Sequence, residues 1–271
     1  MTILENTTAI VTGASSGIGR GIAKLLAREG SHVFITGRDA ERLQKTAEAI
    51  EQAGGLATPA AFDLTDSGKL QAFIMDTAEA SGQLNIMVNA AGVDHPGTIS
   101  AGSLADWRDM LDTNVMAVLV GSQAAIRAMR ETQSQGHIVT ISSYAGRGNG
   151  VRVYGATKAA INSICTTLRQ ELEDEPIRVV NIMPGGVVAT NFGRNFPPEF
   201  VNHLLKSVGL DDNFETGAML PESVTEALNA KASAMFASPD DIARAVLYAV
   251  TQPYDVNVSE VVVGPRKTFP G

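Results

Sequence analysis

Three glycines fall within eight residues, Thr12-Gly13-Ala14-Ser15-Ser16-Gly17-Ile18-Gly19, directly after a short β-branched run and directly before a stretch of helical periodicity, residues 17–28. No other feature restricts the fold as much. Glycines placed there let the backbone turn tightly and approach a bound group closely, while the free amides and positive dipole end of the following helix attract negative charge. This is the physics of a dinucleotide pyrophosphate cradle on the first β-α unit of a parallel sheet, with Gly13, Ser15, Ser16, Gly17, Ile18 and Gly19 as candidate contacts. The spacing is Gly-x-x-x-Gly-x-Gly rather than Gly-x-Gly-x-x-Gly, and a turn without a ligand would satisfy the same glycines.

The remaining chain repeats the alternation. Strands are predicted over residues 8–12, 32–36, 57–62, 85–89, 137–142, 178–183 and 259–263, and helices over 40–52, 153–173 and 239–251, with further helices between. One stretch is irregular. Residues 190–238 hold Pro197, Pro198, Pro221, Phe192, Phe196, Phe200, Phe214 and two short helical patterns, which is long for a connection within a domain. We expect a lid or pocket wall there; the alternative is a surface excursion covering its own small core.

At 271 residues and 44% hydrophobic composition the chain can bury the core of one large α/β domain. The lone cysteine, Cys165, has no partner for an internal disulfide, and the first residues lack a basic segment followed by an apolar run, so a cytoplasmic location is expected. No apolar run approaches the roughly 20 residues of a membrane span. A net charge of -8 with scattered Lys and Arg argues against a nucleic-acid partner. His32, His95, His137 and His203 are dispersed without ligand spacing, so no metal is expected.

Two local patterns point to chemistry. The second strand ends Thr36-Gly37-Arg38-Asp39, roughly 20 residues past the glycines, where a carboxylate would grip an NAD ribose. Arg38 instead favours the 2′-phosphate of NADP(H), with NAD(H) as the alternative and a solvated Arg38 beside Asp39 as the bland reading. Tyr154 and Lys158 are four residues apart, on one face of a predicted helix. A phenol with an ordinary pKa of roughly 10 needs a nearby cation to exchange protons near neutrality, and Lys158 can supply it. On spacing alone, a tyrosine packed over a lysine stem is the more common outcome.

Taken together, the glycine loop, Asp63-Leu64, Asn89-Ala90-Ala91-Gly92, Asn114, Ser142-Ser143, Tyr154-x-x-x-Lys158 and Pro184-Gly185 resemble the short-chain dehydrogenase/reductase family over essentially the whole chain. The segment from Val256 to Pro265 further resembles a subgroup that includes 3-hydroxy acid (serine) dehydrogenases. The resemblance implies one doubly wound Rossmann domain over residues 1–271, with helices on both faces of a seven-stranded parallel sheet of order 3-2-1-4-5-6-7 and the site at the carboxyl ends of the strands. It implies hydride exchange between NADP(H) and a secondary alcohol or ketone, with an NAD-dependent alcohol or 3-hydroxy acid dehydrogenase as the alternative. A catalytically idle nucleotide-binding regulator is disfavoured by the presence of both Tyr154 and Lys158.

By the same resemblance Tyr154 donates and accepts the proton, Lys158 lowers its pKa and holds the nicotinamide ribose, and Ser143 bonds the substrate carbonyl. Asn114 holds a water linking Lys158 to solvent. Asp63 and Leu64 edge the adenine, Asn89, Ala90, Ala91 and Gly92 line the adenosine ribose, and Pro184, Gly185, Val187 and Thr190 meet the carboxamide. A homodimer or homotetramer is implied through the helix carrying Tyr154. Three departures stand out: Ala90 where the family usually shows Asn, a Ser143-to-Tyr154 spacing two residues short, which makes Ser142 a rival hydroxyl, and Thr190 one residue late. Asp94 and His95 can touch substrate or be loop-solvated; Arg147 and Arg152 can hold a carboxylate or be exposed loop charges.

Overall fold

Four strands of this chain are buried along their whole length. That is why the sequence shows continuous apolar runs in place of alternation, as a parallel sheet covered on both faces requires. The computed structural model describes residues 2–148, 152–188, 190–211, 213–233 and 235–266; the outermost residues of the expected 1–271 domain, and residues 212 and 234 of the expected insertion, lie outside these. The first half runs β1 (Thr8–Thr12), α1 (Gly17–Arg28), β2 (His32–Gly37), α2 (Ala40–Gln52), β3 (Leu56–Ala61), α3 (Ser67–Ser81) and β4 (Ile86–Asn89). Next come α4 (Leu104–Leu111), α5 (Ala117–Glu131), β5 (Gly136–Ile141), α6 (Arg152–Glu171) and β6 (Ile177–Pro184). The chain continues with α7 (Pro198–Ser207), α8 (Glu222–Ala232), α9 (Pro239–Val250) and β7 (Glu260–Val263).

Among the described residues these strands form one parallel sheet of order β3-β2-β1-β4-β5-β6-β7, the expected doubly wound Rossmann arrangement. Successive side chains alternate between two cores. Ala9, Val11, Ile86, Val88, Val139 and Val180 pack with residues of α1, α2 and α9 on one face. Ile10, Met87, Ile138 and Val179 pack with residues of α3, α5 and α6 on the other. The edge strand β3 tolerates Pro59 because its outer side has no ladder partner.

β1 pairs with β2 on one side and β4 on the other, so connections leave in opposite directions and a crevice opens at the carboxyl ends between them. Predicted element limits agree with the observed ones to within one or two residues. The stretch after β6 departs from the sheet and returns to it. Val187 and Ala237 form a parallel bridge, with the Val188 amide donating to the Ala237 carbonyl (3.3 Å) and the Ala237 amide to that of Gly186 (2.9 Å). Between these points α7 and α8 enclose a small core of Val201, Leu205, Phe214, Leu228 and Ala232.

Candidate active site

A cleft of about 520 Å³ runs from the glycine loop to the stretch beyond β6. Its floor is built first from backbone. Gly13 has φ +68°, and a Cβ there would sit 2.8 Å from the Cα of Ala91; one on Gly19 would sit 2.4 Å from the Gly13 carbonyl oxygen. Side chains cannot be accommodated at either place. Thr12, at the end of β1, ties the two loops together: its hydroxyl accepts from the amides of Ala90 (3.0 Å) and Ala91 (3.3 Å) and donates to the Val88 carbonyl (3.3 Å). Sequence reasoning quoted Thr12 only as the start of the motif, although a β-strand-end threonine facing a second loop is a natural bridge.

The first turn of α1 is unusual among its neighbours. Ser16 at its N-cap makes no side-chain capping bond and no acidic residue follows, whereas α2, α3 and α9 are capped by Asp39, Asp66 and Ser238. Uncapped amides beside two glycines that admit no Cβ fit a pyrophosphate. Gly13, Ser15, Ser16, Gly17, Ile18 and Gly19 all line the cleft, as do Arg38, Asp63, Leu64, Ala90, Ala91 and Gly92. Asp63 turns one carboxylate oxygen to the amide and hydroxyl of Thr65 (3.0 and 2.9 Å), and the amide bond holds its pKa low. Arg42, which the sequence reading passed over, joins this wall and pairs with Asp39 at 3.6 Å. Its position one helical turn beyond Arg38 was the available signal.

Asn89 behaves differently from the expectation that it lines the cleft. Its side chain points into α5 and donates to the Ser122 hydroxyl at 3.2 Å, beneath Gly121, where a Cβ would come within 2.8 Å of the Asn89 amide oxygen. Alternation along β4 sends it away from the cleft.

At the other end Tyr154 and Lys158 share the face of α6, and the Lys158 ammonium lies 5.7 Å from the centroid of the Tyr154 ring. Lys158 is buried and donates to the Ile141 carbonyl at 2.9 Å; burial pulls its pKa down to about 8. Tyr154's pKa is raised, chiefly by burial and further by the charge of Asp94, while hydrogen bonding to Ser143 pulls the other way. Desolvation dominates at the phenol, and the Lys158 ammonium is directed at the Ile141 carbonyl.

The two serines divide. Ser142 is buried and donates to Asn162 Oδ1 (2.7 Å), with the Lys158 carbonyl 3.2 Å from the same hydroxyl, bracing β5 against α6. Ser143 faces the phenol and accepts from the Ala145 amide at 3.1 Å. Asn114 sits in a π turn, Asp112–Met116, between α4 and α5. Its amide holds both the amide and carbonyl of Val93 (2.8 Å each) and reaches the Thr157 hydroxyl (3.1 Å). Asn114 and Lys158 approach Gly92 from two sides, 3.5 and 3.6 Å from where a Cβ would stand.

Pro184, Gly185, Val187 and Thr190 also line the cleft, and Thr190 lies over the glycine loop, its Cβ 3.0 Å from the place a Gly17 Cβ would take. From there an aromatic file runs outward: Tyr154 to Phe192 (5.1 Å between ring centroids), Phe192 to Phe196 (6.1 Å) and Phe196 to Phe200 (5.8 Å). Val201, Phe214 and Leu228 of the small core line the same cavity, so the stretch both covers its own core and walls the cleft.

Neither Asp94 nor His95 is loop-solvated. Asp94 is buried, with one oxygen lacking any partner among the described residues and its pKa raised by burial; His95 bonds Asp109 at 2.7 Å. Arg147 pairs with Glu260, away from the cleft, and Arg152 is exposed.

Over residues 7–199 the chain matches the short chain dehydrogenase family. It is 34% identical over 267 residues, 98% of this chain and all of the relative, to an uncharacterized oxidoreductase of Staphylococcus aureus (strain USA300). A metagenomic short-chain oxidoreductase in complex with NADP superposes with a TM-score of 0.74 at 30% identity, covering 98% of this chain and 100% of that one. A 7α-hydroxysteroid dehydrogenase complexed with NADH and 7-oxo-glycochenodeoxycholic acid superposes with a TM-score of 0.76 at 25% identity, covering 98% of this chain and 97% of that one.

Proposed function

This chain belongs to the short-chain dehydrogenase/reductase family and is an oxidoreductase; from that premise we propose that it exchanges hydride between NADP(H) and a secondary alcohol or ketone with an apolar body. The observation that carries the reading is the placement of the Tyr154 phenol between Ser143 and Phe192 at one end of a cleft whose other end is a glycine cradle beside Arg38. The bound dinucleotide supplies the hydride. The protein supplies orientation and one proton.

The cradle from Gly13 to Gly19 and the uncapped turn of α1 hold the pyrophosphate, and Arg38 with Arg42 nearby holds the 2′-phosphate. Lys158 and the 90–92 segment form the middle of the floor, braced from beneath by Asn114, and Pro184, Gly185, Val187 and Thr190 form its nicotinamide end. A substrate carbonyl seated between Ser143 and Tyr154 accepts two hydrogen bonds that strengthen as negative charge develops on its oxygen. With its pKa raised, Tyr154 enters reduction as a neutral acid and delivers its phenolic proton to that oxygen; in the reverse direction it takes the proton back. Phe192, Phe196 and Phe214 exclude water from this point and select an apolar body. Exposed Leu111 and Met116, on α4 and the π turn that pack against α6, support association as a homodimer or homotetramer.

The test is a panel of bulky ketones and secondary alcohols with NADPH, NADH and their oxidised forms, followed by nicotinamide absorbance. Turnover with NADPH that falls about 100-fold or more in Tyr154→Phe, with cofactor affinity unchanged, supports the reading. Equal affinity for NADH and NADPH in the wild type would shift it to the NAD-dependent alternative and make Arg38 a surface charge.

A further inference from the structure

Arg194 enters the cleft from the stretch beyond β6, on the short helical turn Asn191–Asn195 that also carries Phe192. It lines the same cavity as Arg38, Arg42, Ser16 and Gly17. Its backbone carbonyl accepts from the Gly217 amide (2.6 Å), but its half-buried side chain has no hydrogen-bond or ion-pair partner among the described residues. Its pKa is lowered by burial and by the neighbouring charge of Arg38, with Asp109 a partial offset. Arg38 makes no ion pair within 4 Å among the described residues, although its charge helps to hold the Asp63 pKa low; Arg42 takes Asp39, and one oxygen of Asp63 is held by Thr65. Two guanidiniums thus face one cleft in a protein whose formal net charge is -8. A half-buried cation set beside another cation is unfavourable until an anion joins them, and a guanidinium presents its donors in a fork that matches phosphate oxygens.

We propose that Arg194 is a phosphate ligand contributed by the wall of the substrate cavity, and that with Arg38 it clamps a phosphate of the dinucleotide, drawing the wall onto the glycine loop. The proposal rests on the dinucleotide-dependent reading above and extends it from the floor of the site to its cover. Because Phe192 lies two residues before Arg194 and meets the Tyr154 ring edge-to-face, the same clamp fixes the aromatic file against the phenol. Thr190, already seated against Gly17, is the contact on which the wall closes. Cofactor binding thereby completes the substrate pocket.

The experiment titrates NADPH and NADH into the full-length wild type, Arg194→Gln and Arg194→Lys by calorimetry, and follows limited proteolysis of residues 190–238 with and without NADPH. The expected result is NADPH binding weakened about tenfold or more in Arg194→Gln and largely kept in Arg194→Lys, as loss of a charge-assisted hydrogen bond predicts. NADPH should protect the segment in the wild type and fail to do so in Arg194→Gln. Loss confined to NADPH assigns the 2′-phosphate, and equal loss with NADH assigns the pyrophosphate; both support the clamp. Affinities within twofold of wild type for both dinucleotides, or equal protection of the segment in Arg194→Gln, would overturn it. A wild type that binds neither dinucleotide overturns the cofactor reading itself.

Discussion

Replacing Lys158 by methionine separates what this residue does for the fold from what it does for the reaction. Lys158 is 4% exposed, and its pKa falls from 10.5 to about 8 because the ammonium has been taken out of water. A depression of that size corresponds to about 3 kcal/mol of preference for the neutral amine. Below about pH 8 folded and unfolded chains both carry the charge, so the folded state bears the full penalty. Between about 8 and 10.5 the unfolded chain holds a proton that the folded one has released, and stability rises with pH. Methionine removes this dependence but strands the Ile141 carbonyl that Lys158 serves at 2.9 Å, a loss of about 1–3 kcal/mol. Near neutrality the two effects nearly offset, leaving Lys158→Met equal to the wild type or up to about 2 kcal/mol more stable. By pH 9.5 the wild type gains about 2 kcal/mol relative to the variant, at roughly 1.4 kcal/mol per pH unit above pH 8. Urea unfolding of both proteins at fixed concentration, at pH 7 and pH 9.5, measures this difference. Parallel pH profiles would refute the reasoning, because they would mean that Lys158 is solvated as a cation in the folded protein.

Ser143→Ala should lower turnover about 100-fold in steady-state assays, while Ser142→Ala stays within a few-fold but loses about 1–2 kcal/mol in urea unfolding, because its hydroxyl braces α6 through Asn162. Gly13→Ala, which must place a methyl 2.8 Å from Ala91 Cα at φ +68°, should destabilise the fold by more than about 1 kcal/mol and weaken dinucleotide binding, read by thermal unfolding and calorimetry. Phe196→Ala should reduce kcat/KM for a bulky apolar ketone about tenfold and leave oxidation of a small 3-hydroxy acid unchanged. The opposite pattern, with Arg152→Ala abolishing activity on the acid, would favour the acid reading.

The sheet was legible because its inner strands are β-branched and buried on both faces, so Ala9 to Thr12 or Val179 to Ile182 stand out against any neighbouring helix. Their ends move by a residue because a strand ends where its partner's hydrogen bonds do, and Gly136 and Ile177 are paired by each other, not by their own composition. The glycine loop was legible for the same local reason. What sequence could not supply was direction. Asn89 belongs to a segment expected, by resemblance, to line a cofactor, yet the pleat of β4 turns its amide toward Ser122. Ser142 and Ser143 are indistinguishable in composition and separate only because one faces Asn162 and the other Tyr154. Arg194 carried no motif at all; its meaning comes from meeting Arg38, far away in the chain.

The bridge between Val187 and Ala237 has a consequence for how a chain of this kind diversifies. Since the two ends of the intervening stretch are already adjacent, its length is nearly free: doubling a loop between fixed ends adds only about 0.6 kcal/mol of closure entropy. The register of β6 and β7 is set by their own pairing, and Tyr154 and Lys158 are carried by α6, outside the stretch that hangs from the bridge. Under the proposed reading, the stretch can therefore be exchanged as a cassette, cut and rejoined at residues 187 and 237, provided the replacement restores the cofactor contacts assigned to Thr190 and Arg194. A transplanted stretch would need to bring its own small core, as Val201, Leu205 and Phe214 provide here.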